Sequence, residues 1–400
     1  MKHMFGTKIK IDENKIAELL ERRLENIYPS REEVEERLKS GDRIRVYLGI
    51  DPTGPDLHLG HTIPILFLKQ LLELNHKPVL VIGDFTAKIG DPTGKETARK
   101  QLTDKEVKEN MKNYLGQVYK ILPKGSFEVK YNSSWLSKMS FENVVKLASH
   151  VTVQQMIVRE MFQERIKNEK PIGVHEFLYP LMQGYDSVAM GIDGEVGGND
   201  QTFNMLVGRD MEKKLLNKDK LVFATRLLVD AESGKKMSKT EGGLISLSDS
   251  PQDIYGKTMK TVPDQMIATV FELCTEKDWV WIKENKENIK NEPLKFKKEL
   301  AFELVRMYHG EKIAHEAINE WEKVFSKKEM PSEIQEAPGE GIKLVDFMTE
   351  HSLATSSSDA KRLLDQGAVS INEEVVKEWG YILKGGDVVR VGSRKFLKVV

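Results

Sequence analysis

Apolar residues in the first half of the chain follow two periodicities in turn, that of strands and that of helices. Residues 43–50 alternate as a strand does, and residues 77–83 (KPVLVIG) form a short, nearly continuous apolar run. Between them, residues 58–75 carry apolar positions at helical spacing. Further apolar runs at 127–131 and 221–228 are separated by helical patterns. Strands that alternate with helices predict an α/β fold with a parallel sheet.

Outside this alternation, the pattern predicts helices and a small separate unit. The charged stretch 13–39 predicts a helix with a break near Pro29. After Ser250 the chain has the pattern of lysine-rich helices. Residues 326–341 are polar and rich in Pro, Glu and Gly, which is typical of a linker. Beyond it, residues 342–400 have short helical and strand-like patterns of their own, which indicates a second domain.

Three loops of ligand-binding composition follow strand ends. They are Asp51–His61, Gly83–Lys95 and Asp230–Gly243. Because ligands of parallel sheets bind at the carboxyl ends of the strands, we expect the three loops to meet. The first loop leads into the N-terminus of a helix, where unpaired N–H groups bind anions. This arrangement indicates a phosphate site.

Two histidines mark the start of that helix. His58 and His61 are three residues apart and therefore face the same way on the first turn. A metal site is one interpretation, although no third ligand lies nearby in the sequence. The other is contact with phosphate, with Gly60 letting the ligand approach the backbone.

The third loop is cationic, with Lys235, Lys236 and Lys239 between glycines. Most lysine runs are solvated surface loops. A cationic loop at a strand end can also close over a polyphosphate and stabilise the charge that grows in a transition state.

Composition narrows the class of protein. The 61 basic residues nearly balance the 62 acidic ones, so any basic surface for nucleic acid is local. Cys274 is the single cysteine, which excludes an internal disulfide framework and argues against a structural zinc cluster. The first residues lack the apolar segment of a signal peptide, and no apolar run is long enough for a bilayer. We expect a cytoplasmic protein with no membrane partner.

Two motifs resemble the signatures of class I aminoacyl-tRNA synthetases: HLGH at 58–61 and KMSKT at 236–240. YLGIDPTGPDLHLGH, GDPTGK, YPLMQGYD, VGGNDQ and KMSKT occur in the order found in the tyrosyl-tRNA synthetases, and the resemblance covers essentially the whole chain. The last unit is similar to a small RNA-binding domain of a ribosomal protein, as in the bacterial type.

The resemblance implies a domain plan. Residues 1–232 are expected to form a Rossmann-like, parallel-sheet nucleotide-binding domain, with an insertion at about 125–195 that carries a homodimer interface. Residues 233–326 are expected to hold the lysine loop and an α-helical, anticodon-side domain. A linker at 327–341 would then lead to a small α+β RNA-binding domain at 342–400.

The resemblance also implies an activity. The expected reaction joins tyrosine to ATP, supplied with Mg²⁺, to give tyrosyl-adenylate and pyrophosphate. The tyrosyl group then passes to the 3′-terminal adenosine of tRNA(Tyr). No covalent nucleophile is required, because positioning and charge stabilisation of the phosphate supply the catalysis. No structural metal is expected in the protein, and the sequence leaves open whether Mg²⁺ has a protein ligand.

Site residues follow from the same resemblance, position by position. For tyrosine, Tyr47 and Asp186 are expected at the phenol hydroxyl, and Asp91, Tyr179 and Gln183 at the α-ammonium group. The expected catalytic residues are Thr53, His58, His61, Gln201, Lys236, Lys239 and Thr240. The expected ATP-binding residues are Gly49, Asp51, Lys95, Arg99, Gly198, Asp200, Leu228 and Val229, together with Lys236 and Lys239. The expected RNA-binding residues are Lys361, Arg362, Arg390, Arg394 and Lys395.

Three other functions compete with this one. A tryptophanyl-type synthetase is disfavoured by Tyr47 with Asp186 and by the RNA-binding unit. A small-molecule nucleotidyltransferase shares an H-x-G-H loop but lacks that unit. A non-catalytic RNA-binding relative is expected to lose His58, His61 or the loop lysines, and all are present.

Overall fold

The computed structural model of the chain describes residues 8–93, 101–229, 244–323, 334–392 and 395–400. The chain divides into two compact units, Met1–Glu311 and Lys312–Val400. Among the helices in the described ranges, none has both the length and the apolar character needed to cross a membrane.

A six-stranded sheet forms the centre of the first unit. Its strands are β1 (Leu24–Tyr28), β2 (Arg45–Ile50), β3 (Lys77–Ile82), β4 (Glu128–Tyr131), β5 (Gly194–Gly198) and β6 (Leu221–Thr225), in the order β1-β6-β5-β2-β3-β4. Every pair is parallel except β1 with β6. The predicted α/β fold with a parallel sheet is therefore confirmed, and β2 lies centrally between β5 and β3.

Helices cover this sheet and extend the unit beyond it. They are α1 (Glu13–Glu21), α2 (Arg31–Lys39), α3 (Leu59–Glu73), α4 (Thr86–Ile89), α5 (Asp104–Asn110), α6 (Tyr114–Val118), α7 (Ser133–Leu136), α8 (Phe141–Ala148), α9 (Val153–Ile157), α10 (Glu160–Lys167), α11 (Val174–Met190), α12 (Thr202–Leu216), α13 (Pro251–Thr261), α14 (Ile267–Cys274), α15 (Trp279–Glu284), α16 (Lys286–Asn291) and α17 (Pro293–His309). Of these, α3, α11 and α12 position the candidate site.

Two glycines set the approach of α11 to α12. A Cβ built on Gly184 would lie 3.1 Å from the Cα of Gly208, which is tighter than most real contacts. The two helices therefore pack backbone to backbone at this point. α11 also carries Tyr179, Gln183 and Asp186, which belong to the candidate site.

The prediction of a helix over 13–39, broken only near Pro29, was wrong for residues 24–28. After α1 the chain forms β1, which pairs antiparallel with β6. The pattern misled because Arg22 and Arg23, which look solvated in the sequence, are 3% and 2% exposed. Their guanidinium groups donate to carbonyl oxygens at the end of α14, Arg22 to Glu272 (2.8 Å) and Arg23 to Leu273 (3.0 Å). Two charged residues that bind carbonyl groups at the end of another helix thus directly precede β1.

The second unit has its own sheet and core. Its helices are α18 (Glu311–Trp321), α19 (Leu344–Glu350) and α20 (Ser357–Asp365), and its strands are β7 (Glu336–Ala337), β8 (Val369–Ile371), β9 (Glu374–Val375), β10 (Val388–Val391) and β11 (Lys395–Val399). The sheet order is β7-β11-β10-β8-β9. Phe347, Leu364 and Val389 are among the fully buried residues of its core.

The expected linker at 327–341 needs correction at its end. Residues 336–337 form β7, which pairs parallel with β11 in the register Lys398↔Glu336 and Val399↔Ala337. Ala337 is 5% exposed and belongs to the core of the second unit. A polar, Pro- and Gly-containing stretch predicted a linker, and a strand of only two residues is too short to produce a pattern of its own.

A buried histidine next to β3 predicts acid sensitivity. His76 is 3% exposed, and burial, with a smaller effect of Arg43, lowers its pKa to about 4. A histidine in the unfolded chain takes up its proton near pH 6.5, so the unfolded state binds more protons below that pH and stability falls on acidification. When the pH falls from 7 to 5, the free energy of unfolding of the wild type should drop by about 2 kcal/mol more than that of His76→Gln. Urea unfolding at the two pH values measures this difference. Equal losses in the two proteins would contradict this.

Candidate functional site

A cavity of about 590 Å³ lies at the carboxyl ends of the parallel strands in the first unit. Residues from the ends of β2, β3, β5 and β6 contribute to its lining, as do residues of α3 and α11. This is the edge at which ligands of parallel α/β sheets bind.

Most of the predicted site residues line this one cavity. They are Tyr47, Gly49, Asp51, Thr53, His58, His61, Asp91, Tyr179, Gln183, Asp186, Gly198, Asp200, Gln201 and Leu228. Val229 follows Leu228 in the chain and does not belong to the lining. Lys95, Arg99, Lys236, Lys239 and Thr240 lie outside the described residues. The structure thus brings together residues from positions 47 to 228 of the sequence.

Tyr47 and Asp186 form the buried end of the cavity, at 0% and 4% exposure. The Asp186 carboxylate accepts hydrogen bonds from Trp135 Nε1 (2.7 Å) and Asn132 Nδ2 (3.2 Å). Burial raises its pKa well above the ordinary value, and these two hydrogen bonds oppose that rise. Burial, together with the charge of Glu195, also raises the pKa of Tyr47 far above 10, so this side chain is a neutral phenol.

Asp51 anchors a second group of polar side chains. Its carboxylate accepts from the Tyr179 hydroxyl at 2.8 Å and from the Thr86 hydroxyl at 2.6 Å. Asp91, by contrast, accepts from Gln201 Nε2 at 2.7 Å. Tyr179 and Asp91, both expected at one ammonium group, therefore line the cavity while bonded to different partners.

His58 and His61 occupy the N-terminal end of α3. His58 is the N-cap, and its Nδ1 accepts from Gly60 N at 3.1 Å. His61 Nδ1 accepts from His58 N, also at 3.1 Å. Burial, reinforced by His58, lowers the pKa of His61 to about 3, so its ring is neutral at physiological pH. A neutral ring that accepts at Nδ1 carries its proton on Nε2, which makes His61 a hydrogen-bond donor at that atom.

Described residues on either side of the segment that contains KMSKT line the cavity. Residues 230–243 lie outside the described part of the chain, but Leu228 before them and Leu244 after them both line the cavity. The chain then returns to α3, where Leu59 N donates to Ile245 O at 3.0 Å. Leu228 and Leu244 therefore belong to the same cavity as the two histidines.

Comparison with protein families assigns both parts of the chain. Residues 39–326 match the model of "tRNA synthetases class I (W and Y)", which covers well over half of the sequence. The chain belongs to this family. Residues 342–389 match the S4 domain. The family predicted from HLGH and KMSKT is thus confirmed.

Individual relatives of this class I family agree with the match. The "Tyrosine--tRNA ligase" of Carboxydothermus hydrogenoformans is 42% identical over 399 residues, covering 96% of this chain and 97% of the relative. That of Thermotoga maritima is 41% identical over 376 residues, covering 92% and 94%. Both alignments span nearly the full length of each protein.

Solved structures share the fold. A C-terminally truncated mitochondrial tyrosyl-tRNA synthetase of Aspergillus nidulans has a TM-score of 0.65 at 22% identity, covering 78% of this chain and 95% of its own. The Archaeoglobus fulgidus tyrosyl-tRNA synthetase, solved with L-tyrosine, has a TM-score of 0.60 at 22% identity, covering 77% and 100%. At these identities the likeness concerns architecture alone.

Sequence reasoning missed several polar residues of this synthetase site. They surround the buried end of the cavity: Asn132, Trp135, Ser187, Glu195 and Lys220. Glu195 did carry a signal, since an acidic residue within the apolar strand β5 is unusual. Lys220 carried none, because a lysine just before a strand is normally solvated.

The expected RNA-binding residues fall in the second unit, here called the S4 unit, in which residues 342–389 match the S4 domain. Lys361 lies 5.1 Å from the centre of the Trp379 ring, and Arg362 donates to Asp359 at 2.6 Å. Arg390 Nε donates to Gly392 O at 2.9 Å. Lys395 donates to two carbonyl oxygens, of Ser352 (2.9 Å) and Leu353 (2.8 Å), in the turn that follows α19. Arg394 lies outside the described residues.

Proposed function

We propose that the chain is a tyrosine--tRNA ligase that forms tyrosyl-adenylate from tyrosine and ATP and transfers the tyrosyl group to tRNA(Tyr). The observation that carries the proposal is the buried pair of Tyr47 and Asp186 in the cavity. A phenol hydroxyl between them finds both a donor and a carboxylate acceptor. Relatives of the same length that bear the name tyrosine--tRNA ligase support this substrate.

The pair also explains how other amino acids would be rejected. Phenylalanine has no hydroxyl, so its binding would leave Asp186 and Tyr47 without the partner that water supplies in the free enzyme. Tryptophan would place a bulkier ring against the same buried polar groups. The indole N–H can donate but cannot accept, which leaves one of the two unsatisfied.

The remainder of the cavity suits the amino acid backbone and ATP. The Asp91 carboxylate supplies the charge for the α-ammonium group, with Tyr179 and Gln183 on the same face of α11. His58, His61 and Thr53 would contact the phosphates that leave, and Asp200 a ribose hydroxyl. Gly49 and Gly198 permit the nucleotide to approach the backbone, and Leu228 faces the adenine.

Five further residues are proposed for the phosphates on the resemblance of their motifs alone. They are Lys95, Arg99, Lys236, Lys239 and Thr240. Leu228 and Leu244, which flank segment 230–243 in the sequence, both line the cavity and support the assignment of the last three. Among the described residues, no group of three or more His, Cys, Asp or Glu side chains is placed to hold a metal ion. Mg²⁺ is proposed to enter with ATP, bound to its phosphate oxygens.

The reaction follows from this placement. A carboxylate oxygen of tyrosine attacks the α-phosphorus of ATP, and the bond from that phosphorus to the bridging oxygen breaks, which releases pyrophosphate. A ribose hydroxyl of the terminal adenosine of the tRNA then attacks the tyrosyl carbonyl, and AMP leaves. The N–H groups of His58 and His61 stabilise negative charge that grows on the phosphates, and the cavity aligns the reacting atoms.

We also propose a homodimer that uses the segment 125–195. Several apolar side chains there are exposed, among them Phe141 (83%), Val153 (61%), Val158 (68%) and Val174 (77%). Apolar residues concentrated in one segment to this degree are typical of a protein interface. The S4 unit and the lysine-rich helices α13–α17 are proposed to bind the tRNA.

A substitution at an exposed position tests the proposed dimer interface. Phe141→Asp should convert the protein from a dimer to a monomer in sedimentation velocity, because a buried, unpaired carboxylate opposes association. Leu294→Asp, at a 64% exposed apolar position on α17, is the control and should leave the mass unchanged. A Phe141→Asp protein that remains dimeric would place the interface elsewhere.

Charging of tRNA tests the proposed function. Total tRNA is incubated with the protein, ATP, Mg²⁺ and one labelled amino acid, and the charged species is resolved on an acid gel and hybridised. We expect tyrosine to label tRNA(Tyr) and no other tRNA. Charging with tryptophan, or no charging, would refute the proposal.

A further inference from the structure

A buried ion pair lies beneath the end of the cavity formed by Tyr47 and Asp186. Lys220, immediately before β6, pairs with Glu195 on β5, and the two side chains are 0% and 2% exposed. A buried pair of this kind has a large desolvation cost and adds little net stability compared with apolar residues. Glu195 lines the cavity, and Lys220 lies directly behind it.

Space for Lys220 is built into the packing of α11 against α12. A Cβ on Gly208 would lie 2.6 Å from Lys220 Nζ and 3.1 Å from Ser187 Oγ. The ammonium group therefore occupies room that only a glycine leaves. From there it donates to Ser187 Oγ at 2.8 Å.

This contact fixes the direction of the next hydrogen bond. An ammonium group has donors and no acceptor, so Ser187 must accept from Lys220 and its own proton must point elsewhere. The nearer acceptor is the Tyr47 hydroxyl oxygen at 3.2 Å, and the Glu195 carboxylate is 3.5 Å away. With Ser187 donating to it, Tyr47 keeps its own proton, which it donates weakly to Gln183 O at 3.4 Å. The oxygen of a bound phenol can accept that proton instead.

We propose that Lys220 is a positioning residue for tyrosine recognition: it orients the chain Lys220→Ser187→Tyr47 so that the Tyr47 hydroxyl donates into the cavity. The proposal rests on the proposed function, since it concerns the substrate hydroxyl. Asp186 is then the acceptor for the proton of that hydroxyl, and Tyr47 the donor to its oxygen. The two groups are complementary to a phenol in one orientation only.

Glu195 completes the arrangement on the other side. One carboxylate oxygen pairs with Lys220, and the other accepts from Gln183 Nε2 at 2.9 Å. Gln183 Oε1 in turn accepts from Asn204 Nδ2 at 3.0 Å. Gln183 is therefore held by Asn204 and by the Glu195 oxygen that does not contact Lys220, so its two contacts do not pass through the Lys220 ammonium group.

The proposal predicts an effect confined to substrates with a hydroxyl group. In Lys220→Met the chain loses its donor, and Tyr47 no longer has a fixed direction. We expect the KM for tyrosine in ATP–pyrophosphate exchange to rise roughly tenfold, the loss of about one hydrogen bond. The Ki of phenylalanine as a competitive inhibitor should stay within twofold of the wild type, because phenylalanine makes no contact with that hydroxyl.

A purely structural role would change both constants together. Equal changes for tyrosine and phenylalanine, or no change for tyrosine, would overturn the proposal. Lys218→Met is the matched control: Lys218 pairs with Asp193 at 2.7 Å, outside the chain of hydrogen bonds, and its loss should alter neither constant. Wild-type protein without tyrosine-dependent exchange would instead refute the proposed function.

A second variant carries the test if Lys220→Met does not fold. Ser187→Ala breaks the same chain by removing one hydroxyl, and it should raise the KM for tyrosine with the Ki of phenylalanine unchanged. Adding it to Tyr47→Phe should have no further effect, because both act through one hydroxyl. Additive effects of the two substitutions would contradict the proposal.

Discussion

Replacing Asp186 by alanine is expected to lower kcat/KM for tyrosine by about 10²–10³-fold while the protein remains folded. The substitution removes the charged acceptor for the substrate hydroxyl and leaves that hydroxyl unpaired in a buried site, each effect worth about 1–3 kcal/mol. Stability should not suffer in proportion. Burial holds the pKa of this carboxyl well above its ordinary value, so its ionised form opposes folding at neutral pH.

Two measurements separate recognition from folding in this variant. The Ki of phenylalanine should be unchanged or lower, and the thermal midpoint should stay within a few degrees of the wild type. Asp193→Asn, which alters a carboxylate paired with Lys218 away from the cavity, is expected to keep full activity. Asp186→Ala protein with wild-type exchange would mean that another group reads the hydroxyl.

The second large effect is expected at the other end of the amino acid. Asp91→Asn removes the charge proposed to hold the α-ammonium group. The variant keeps a side-chain oxygen that can accept from Gln201 Nε2, which lies 2.7 Å from the Asp91 carboxylate in the structure. Removing one partner of a desolvated charge pair costs about 2–5 kcal/mol. We therefore expect kcat/KM to fall by at least about 30-fold for tyrosine.

Asp84, seven residues before Asp91 in the sequence, provides the control substitution. Asp84 accepts from Ser133 N (2.9 Å) and Oγ (2.7 Å) and does not line the cavity. Asp84→Asn should retain exchange within about threefold. Tyrosinol, which keeps the ammonium group, should lose affinity for Asp91→Asn as tyrosine does. Undiminished tyrosinol binding would show that the ammonium group lies elsewhere.

The sequence predicted those parts of the molecule whose functional residues lie close together in one motif. HLGH joins the end of a loop to the start of α3, and YPLMQGYD places Tyr179, Gln183 and Asp186 on one face of α11. The alternation of apolar runs predicted the parallel sheet, because β3 is buried on both faces. In each case the local pattern and the tertiary role agree.

The parts that the sequence did not predict depend on contacts distant in the chain. β1 was hidden because Arg22 and Arg23 are buried by carbonyl groups of α14, about 250 positions away. Lys220 looks like a surface lysine, and only the glycine at 208 and the serine at 187 show where its ammonium group lies. Such roles belong to the packing and not to any local pattern.

Amino acid-dependent ATP–pyrophosphate exchange, run with each of the twenty amino acids in turn, tests the central claim most directly. It reports adenylate formation without tRNA and therefore depends only on the cavity and the segments around it. We predict exchange with tyrosine and background rates with the other nineteen, phenylalanine and tryptophan included. Two results would contradict the assignment of the buried end to a phenol hydroxyl. One is exchange with tryptophan in place of tyrosine, and the other is that none of the twenty amino acids supports exchange.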